Sequence, residues 1–188
     1  MTFVRNCAAL TSRLRDFAGG QDGMAAVEFA VILPFMLVAY LGGIEIGDGV
    51  AIDRKVAITT RSVADLASRY TQIKNTDMAT ILGASSTIIA PYSATPLAVT
   101  VSQIMVDARG VATVTWSDAN SNATAHAKGS AVTLPGTLAA PNTSYIWGEV
   151  QYVYTPTLGY VMTGSWTLKN QIFMSPRESA CVQRNLTC

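Results

Sequence analysis

The feature that most constrains this chain is the run from Phe29 to Ile44, sixteen residues without a charge, bounded by Glu28 and Glu45. Extended back to Met24 the stretch has 21 residues. As a helix it is about 31 Å long at ~1.5 Å per residue, which matches the ~30 Å hydrocarbon thickness of a bilayer. The sequence therefore predicts one membrane span over about residues 24–45. Arg5, Arg13 and Arg15 precede it, against Asp16 and Asp22. The arginine excess that orients spans puts residues 1–23 in the cytoplasm and the bulk of the chain across the membrane. A secretory signal peptide with a small-residue site near Gly49-Val50-Ala51 is the competing reading, but its apolar core is usually only ~7–15 residues and does not normally start at a carboxylate. Glu28, about one turn inside the span, costs up to ~2.5–3.5 kcal/mol in lipid and so calls for a partner.

Beyond the span an apolar or β-branched stripe continues through Ile52, Val56, Thr59, Val63, Leu66, Tyr70 and Ile73, with Asp53, Arg54, Lys55, Arg61, Asp65 and Arg69 between. This 4-3-4-3 spacing is one face of a helix, which should pack on a domain in water. Residues 24–73 then form one helix of about 75 Å, half for lipid and half for packing. Pro34 removes an internal hydrogen bond and is expected to kink it. Gly42, Gly43, Gly47 and Gly49 make the middle a flexible point, and the Gly43-to-Gly47 spacing also fits a close helix–helix contact.

After Asn75 the composition turns to Thr, Ser, Ala and Pro with few charges. A short helix is expected over Thr76 to Gly83, capped by Thr76. Alternation then marks strands at 97–106, 111–116, 145–154 and 166–174, the first two joined by an Asp107-Ala108-Arg109-Gly110 turn. Residues 118–130 read as an exposed loop. The fold class is α+β: a long N-terminal helix, transmembrane then amphipathic, on one face of a small antiparallel sheet of about four strands. Three regions follow, a leader at 1–23, the long helix at 24–74 and a β-rich domain at 75–188. Cys181 and Cys188 are expected to pair, from their position and the oxidising compartment this topology implies, with two free thiols as the alternative, while Cys7 stands alone in the leader.

At the junction of leader and span stands Gly23-Met24-Ala25-Ala26-Val27-Glu28-Phe29-Ala30. Here the sequence resembles the TadE-like family of pseudopilins from tight-adherence (Flp-type) pilus systems, relatives of type IV pilins. The likeness rests on Gly23, Val27 to Ala30, Leu33-Pro34, Gly43-Ile44-Glu45 and the helix around Arg61 and Ala64, and covers about residues 19–67. It implies a substrate of a membrane prepilin peptidase, cut between Gly23 and Met24, while the pilin-like character of the β-domain comes from its own pattern and position. It also implies a minor pilin or pseudopilin in a bacterial inner membrane, N-terminus cytoplasmic and domain periplasmic, with later entry into an extracellular pilus open. Partners implied are other pilins and pseudopilins through the N-terminal helix, the peptidase, the inner-membrane assembly platform and membrane lipid. Glu28, with Phe29 beside it, becomes the group that neutralises the freed α-amino group of a neighbouring subunit's Met24, and Pro34, Gly43 and Gly47 become helix-packing positions.

Competing readings are an unprocessed, membrane-anchored periplasmic binding or adhesion module and a secreted enzyme. The second lacks a catalytic constellation: there is no phosphate loop or nucleophile elbow, and His126, the one histidine, has no zinc-like cluster around it. No metal or cofactor is expected. Thirteen Lys+Arg against twelve Asp+Glu give +1, too little field for nucleic acid. Charged residues are only 13% of the chain, as expected when one segment lies in lipid. Trp116, Trp147, Trp166 and the aromatic run Tyr145 to Tyr154 are expected to fill the core between helix and sheet, with the tyrosines at its edge, a binding stripe on an exposed sheet face being the alternative.

Overall fold

A computed structural model describes residues 22–156 and 164–188, so nearly all of the leader, including Cys7, lies outside the described residues. Helix α1 (Asp22–Ser68) is followed by strand β1 (Gln72–Ile73), helix α2 (Asn75–Ile89), strands β2 (Leu97–Val106) and β3 (Ala112–Ala119), a 3-10 turn (Gly136–Leu138), and strands β4 (Ser144–Tyr154), β5 (Trp166–Met174) and β6 (Gln183–Arg184). The four long strands form one antiparallel sheet in the order β3-β2-β4-β5. The second half of α1 lies across one face of it, mainly over β4 and β5. The α+β architecture expected from the sequence is the one observed.

Helix α1 has 47 residues and runs unbroken through Pro34 and the glycines of its middle. It stops at Ser68, before the expected Ile73. The Arg69 and Tyr70 amides turn back onto the carbonyls of Leu66 and Ala67, three residues behind. The chain then extends, and β1 pairs in parallel with β6, Gln72 opposite Gln183 and Ile73 opposite Arg184. Ile73 is buried as foreseen, but from a strand.

The packing stripe is also shifted. Ile52, Val56, Thr59 and Val63 are buried, whereas Leu66 is exposed and Ala67 has taken its place at the sheet. A 4-3-4-3 pattern repeats every 3.5 residues and a straight helix every 3.6, so the stripe drifts ~20° per seven residues and the buried face moves from 59 to 63 to 67. Buried Thr59 and Thr60 donate their hydroxyls to the carbonyls of Lys55 and Val56, both at 2.8 Å, so neither enters the core unpaired.

Gly148 sets how closely α1 approaches. A side chain there would place its Cβ 3.0 Å from the Ala64 Cβ and 3.3 Å from the Thr60 carbonyl oxygen. A glycine inside a strand marks such a backbone approach, and this one lies where α1 crosses β4. Around it Val99, Val101, Ile146, Val150 and Tyr152 meet Ile52, Val56, Val63 and Ala64 in the main core, which Met78, Ile81 and Ile89 of α2 extend.

Three expectations are corrected. Helix α2 starts one residue early and ends at Ile89; its first turn is held by the Lys74 amide donating to Asp77 Oδ2 at 2.9 Å, not by Thr76. Gly83 does not end it, because burial of Met78, Ile81 and Ile89 outweighs ~1 kcal/mol of glycine cost. Pro91 does, since it cannot continue a helix.

Residues 118–130 are not a free loop. Asp118 and Ala119 belong to β3, and the rest crosses the sheet's outer face as a strap. Asn120 bridges the Val99 amide and the Leu97 carbonyl; Val114 accepts from Gly129 at 2.7 Å and donates to Ser130 at 3.0 Å. His126 stacks on Trp147 with centroids 4.5 Å apart and meets Glu149 Oε2 through Nε2 at 2.5 Å.

The tryptophans therefore divide. Trp116 is in the main core, donating Nε1 to the Val182 carbonyl at 2.7 Å. Trp147 belongs to a second cluster on the outer face, with Ile104, Val106, Ala112 and Tyr145 beneath Val132, Leu134 and Leu138. Trp166 is in neither and is exposed.

Candidate membrane and assembly helix

Every residue from Gly23 to Tyr40 is exposed, among them Met24, Phe29, Phe35 and Tyr40. In water this much unbroken apolar surface is unfavourable by ~25 cal/mol per Å². Among the described residues this helix is the one long and apolar enough to cross a membrane, and its most apolar stretch has none of its surface buried. It fits a single-pass membrane anchor.

The residues singled out in the sequence lie along this rod in order. Gly23 and Met24 form its first turn, Glu28 and Phe29 follow one turn on, and Pro34 continues without a break. Among the described residues, Glu28 is exposed and no hydrogen bond or ion pair joins it to another side chain. A Cβ on Gly43 or Gly47 would meet nothing within 4 Å, so these glycines do not serve the chain's own sheet. Gly49 is different: its face lies against the Tyr154 ring, 3.5 Å from an added Cβ.

Glu45 marks where rod becomes domain. It is buried, and its backbone carbonyl accepts from the Tyr154 hydroxyl at 3.1 Å. Burial raises the Tyr154 pKa above its ordinary value, and the nearby charges of Asp48 and Glu45 and the Tyr92 phenol push it the same way. The hydroxyl therefore stays protonated as a donor, which fixes the end of β4 to α1 where the exposed helix begins.

Cys181 and Cys188 are joined, with Cα atoms 5.9 Å apart, far along the chain from the rod. Their loop holds β6 against β1, and the segment is pinned at two more places. Val182 is fully buried and donates its amide to Gln103 Oε1 at 2.8 Å, and Arg184 forks onto both Asp118 oxygens at 2.8 and 3.1 Å. This clamp was not legible in the sequence beyond the cysteine pair. Tyr154 lies in the helix–sheet core where the aromatic run was expected, and Gly148, which sets the helix on the sheet, carries a usable signal as a lone glycine in an alternating strand. Among the described residues no group of three His, Cys, Asp or Glu side chains could hold a metal ion.

Residues 23–69 match the family of TadE-like proteins. The match covers about a quarter of the chain and ends one residue past α1, so the likeness belongs to the helix and stops short of the sheet. Neither the curated proteins nor the solved structures contain a significant match.

Proposed function

We propose, taking the TadE-like segment of α1 as premise, that this chain is a minor pilin or pseudopilin of a tight-adherence pilus. It would be cut by a prepilin peptidase between Gly23 and Met24. One observation carries the reading: the segment that matches the family begins with an apolar, span-length helix that is exposed at every residue from Gly23 to Tyr40. Such a helix waits in the bilayer and passes from lipid to the helices of other pilins during assembly, with no change in the folded domain. The role is structural rather than catalytic. Lipid, other pilins, the peptidase and the inner-membrane assembly platform are its partners.

Gly23 suits a scissile position, because a residue without a Cβ lets a protease approach the backbone closely. It also sits in the first turn of α1, where opening costs least. Cleavage would make Glu28 the fifth residue and free the α-amino group of Met24. A carboxylate and an ammonium from neighbouring subunits then offset each other's cost of leaving water, which fixes the axial register of one helix on the next. Gly43 and Gly47 leave backbone open for a neighbouring helix to approach, a small-residue contact of the kind used inside membranes.

The test is Glu28→Ala in the native host, scored for processing and for recovery in sheared surface filaments. Processing should persist while incorporation falls about tenfold, the ratio given by ~1.4 kcal/mol of lost pairing. Unchanged incorporation would overturn the assigned role of Glu28.

A further inference from the structure

The apolar surface of α1 continues past the end of the span and is joined there by the domain. Ile46 and Val50 remain exposed on the turns after Ile44, and Trp166, at the start of β5, is 54% exposed against 6% for Trp116 and 9% for Trp147. Together with Gly49, Tyr154 and Leu168 they line a cleft of about 270 Å³, with Asp53 one turn further along α1.

The level of this cleft is set by counting. From Met24 to Ile44 is about 30 Å, the hydrocarbon thickness, and the headgroup layer beyond it is ~5–8 Å deep. Ile46 lies about 3 Å and Val50 about 9 Å past Ile44, so the cleft that Trp166 lines with them runs from headgroup depth to just beyond it. Tryptophan and tyrosine are the side chains that settle there, a flat apolar body in the acyl boundary and an N–H or O–H toward water.

We propose that Trp166, with Ile46 and Val50, seats the β-domain on the outer surface of the bilayer that α1 spans. The partner is a lipid interface, not a soluble ligand. The inference rests on the membrane-spanning reading of α1 and adds that the domain itself touches lipid. The chemistry of the patch favours it: apolar surface continuous with the span, an exposed indole at its edge, and the one charge that lines the cleft among the described residues, Asp53, on the side away from the membrane, while Asp48 lines a separate cleft with Tyr92 and Tyr152. Two contacts with the bilayer, helix and indole, would limit how the domain turns about the helix axis.

The experiment uses the full chain in phosphatidylcholine/phosphatidylglycerol vesicles, with phosphatidylcholine spin-labelled either near the headgroup or near the acyl terminus. Tryptophan emission is compared between the wild-type chain and Trp166→Phe, and both are checked by flotation. Both chains should float. The shallow label should quench the wild-type emission at least about twofold more than the variant, and more than the deep label does, as for an interfacial indole. Flotation of both with equal quenching would overturn the proposal while leaving the span intact. Quenching that vanishes as the protein-to-lipid ratio rises would mean that a second copy fills the cleft, and would overturn it also. Failure of the wild-type chain to float would overturn the spanning reading, and this inference with it.

Discussion

Residues 23–40 and residues 52–68 belong to one continuous helix, yet the first set is exposed throughout while the second buries Val56, Thr59, Thr60, Val63, Ala64 and Ala67. Backbone regularity is the same in both. The difference lies in side-chain spacing: apolar residues all round in the first half, one apolar face among charges in the second. A helix segment that is apolar on every side and exposed along its length leaves that surface for a partner from outside the domain. The two halves should therefore fail differently when altered, residues 52–68 through folding and residues 23–40 through location.

Paired truncations should expose this most strongly. Ile146→Ala empties a fully buried site beneath α1 and should destabilise the domain by ~2–5 kcal/mol, read by denaturant unfolding in detergent. Phe35→Ala removes a larger side chain and should leave that stability unchanged to within ~0.5 kcal/mol, because the ring is 73% exposed. Equal losses would break the comparison.

A smaller effect is expected from replacing Cys181 and Cys188 together by Ser. Opening this short loop should cost about 2–3 kcal/mol of domain stability. Membrane insertion should be untouched, as vesicle flotation of the variant would show.

Gly148→Val should follow, at about 1–3 kcal/mol, since its Cβ would press on Ala64 and the Thr60 carbonyl. Gly43→Val at the exposed level meets no such neighbour. It should leave the unfolding midpoint in place and act, if the proposed helix contacts hold, on recovery in filaments alone.

How much of this was legible in the sequence follows the same division. The limits of β2 and β5 agree with the alternating runs, because Pro96 and Pro176 bound them with residues that cannot continue a ladder. The exposed rod was legible because its apolar run is long and uninterrupted. What escaped depended on contacts between distant segments. The strap over the outer face is rich in Asn, Ser and Ala and has no period, so nothing local reveals that Asn120 and His126 find partners on β2 and β4. The clamp at β6 is two residues long, and its pairing with β1 spans more than a hundred residues. Trp166 carries the same alternating signal as the buried aromatics. Its exposure comes from its place at the end of an edge strand, which the pattern of one strand does not contain.

The central claim is that the apolar half of α1 begins as a free, processed end and serves as the chain's membrane and assembly helix. The most direct measurement is the N-terminus of the mature chain, determined by mass spectrometry on protein from native membranes with and without the prepilin peptidase. The account predicts a start at Met24 that disappears when the peptidase is removed. A chain that still begins at Met1 in the presence of the enzyme, or one that begins near Ile52, would contradict it.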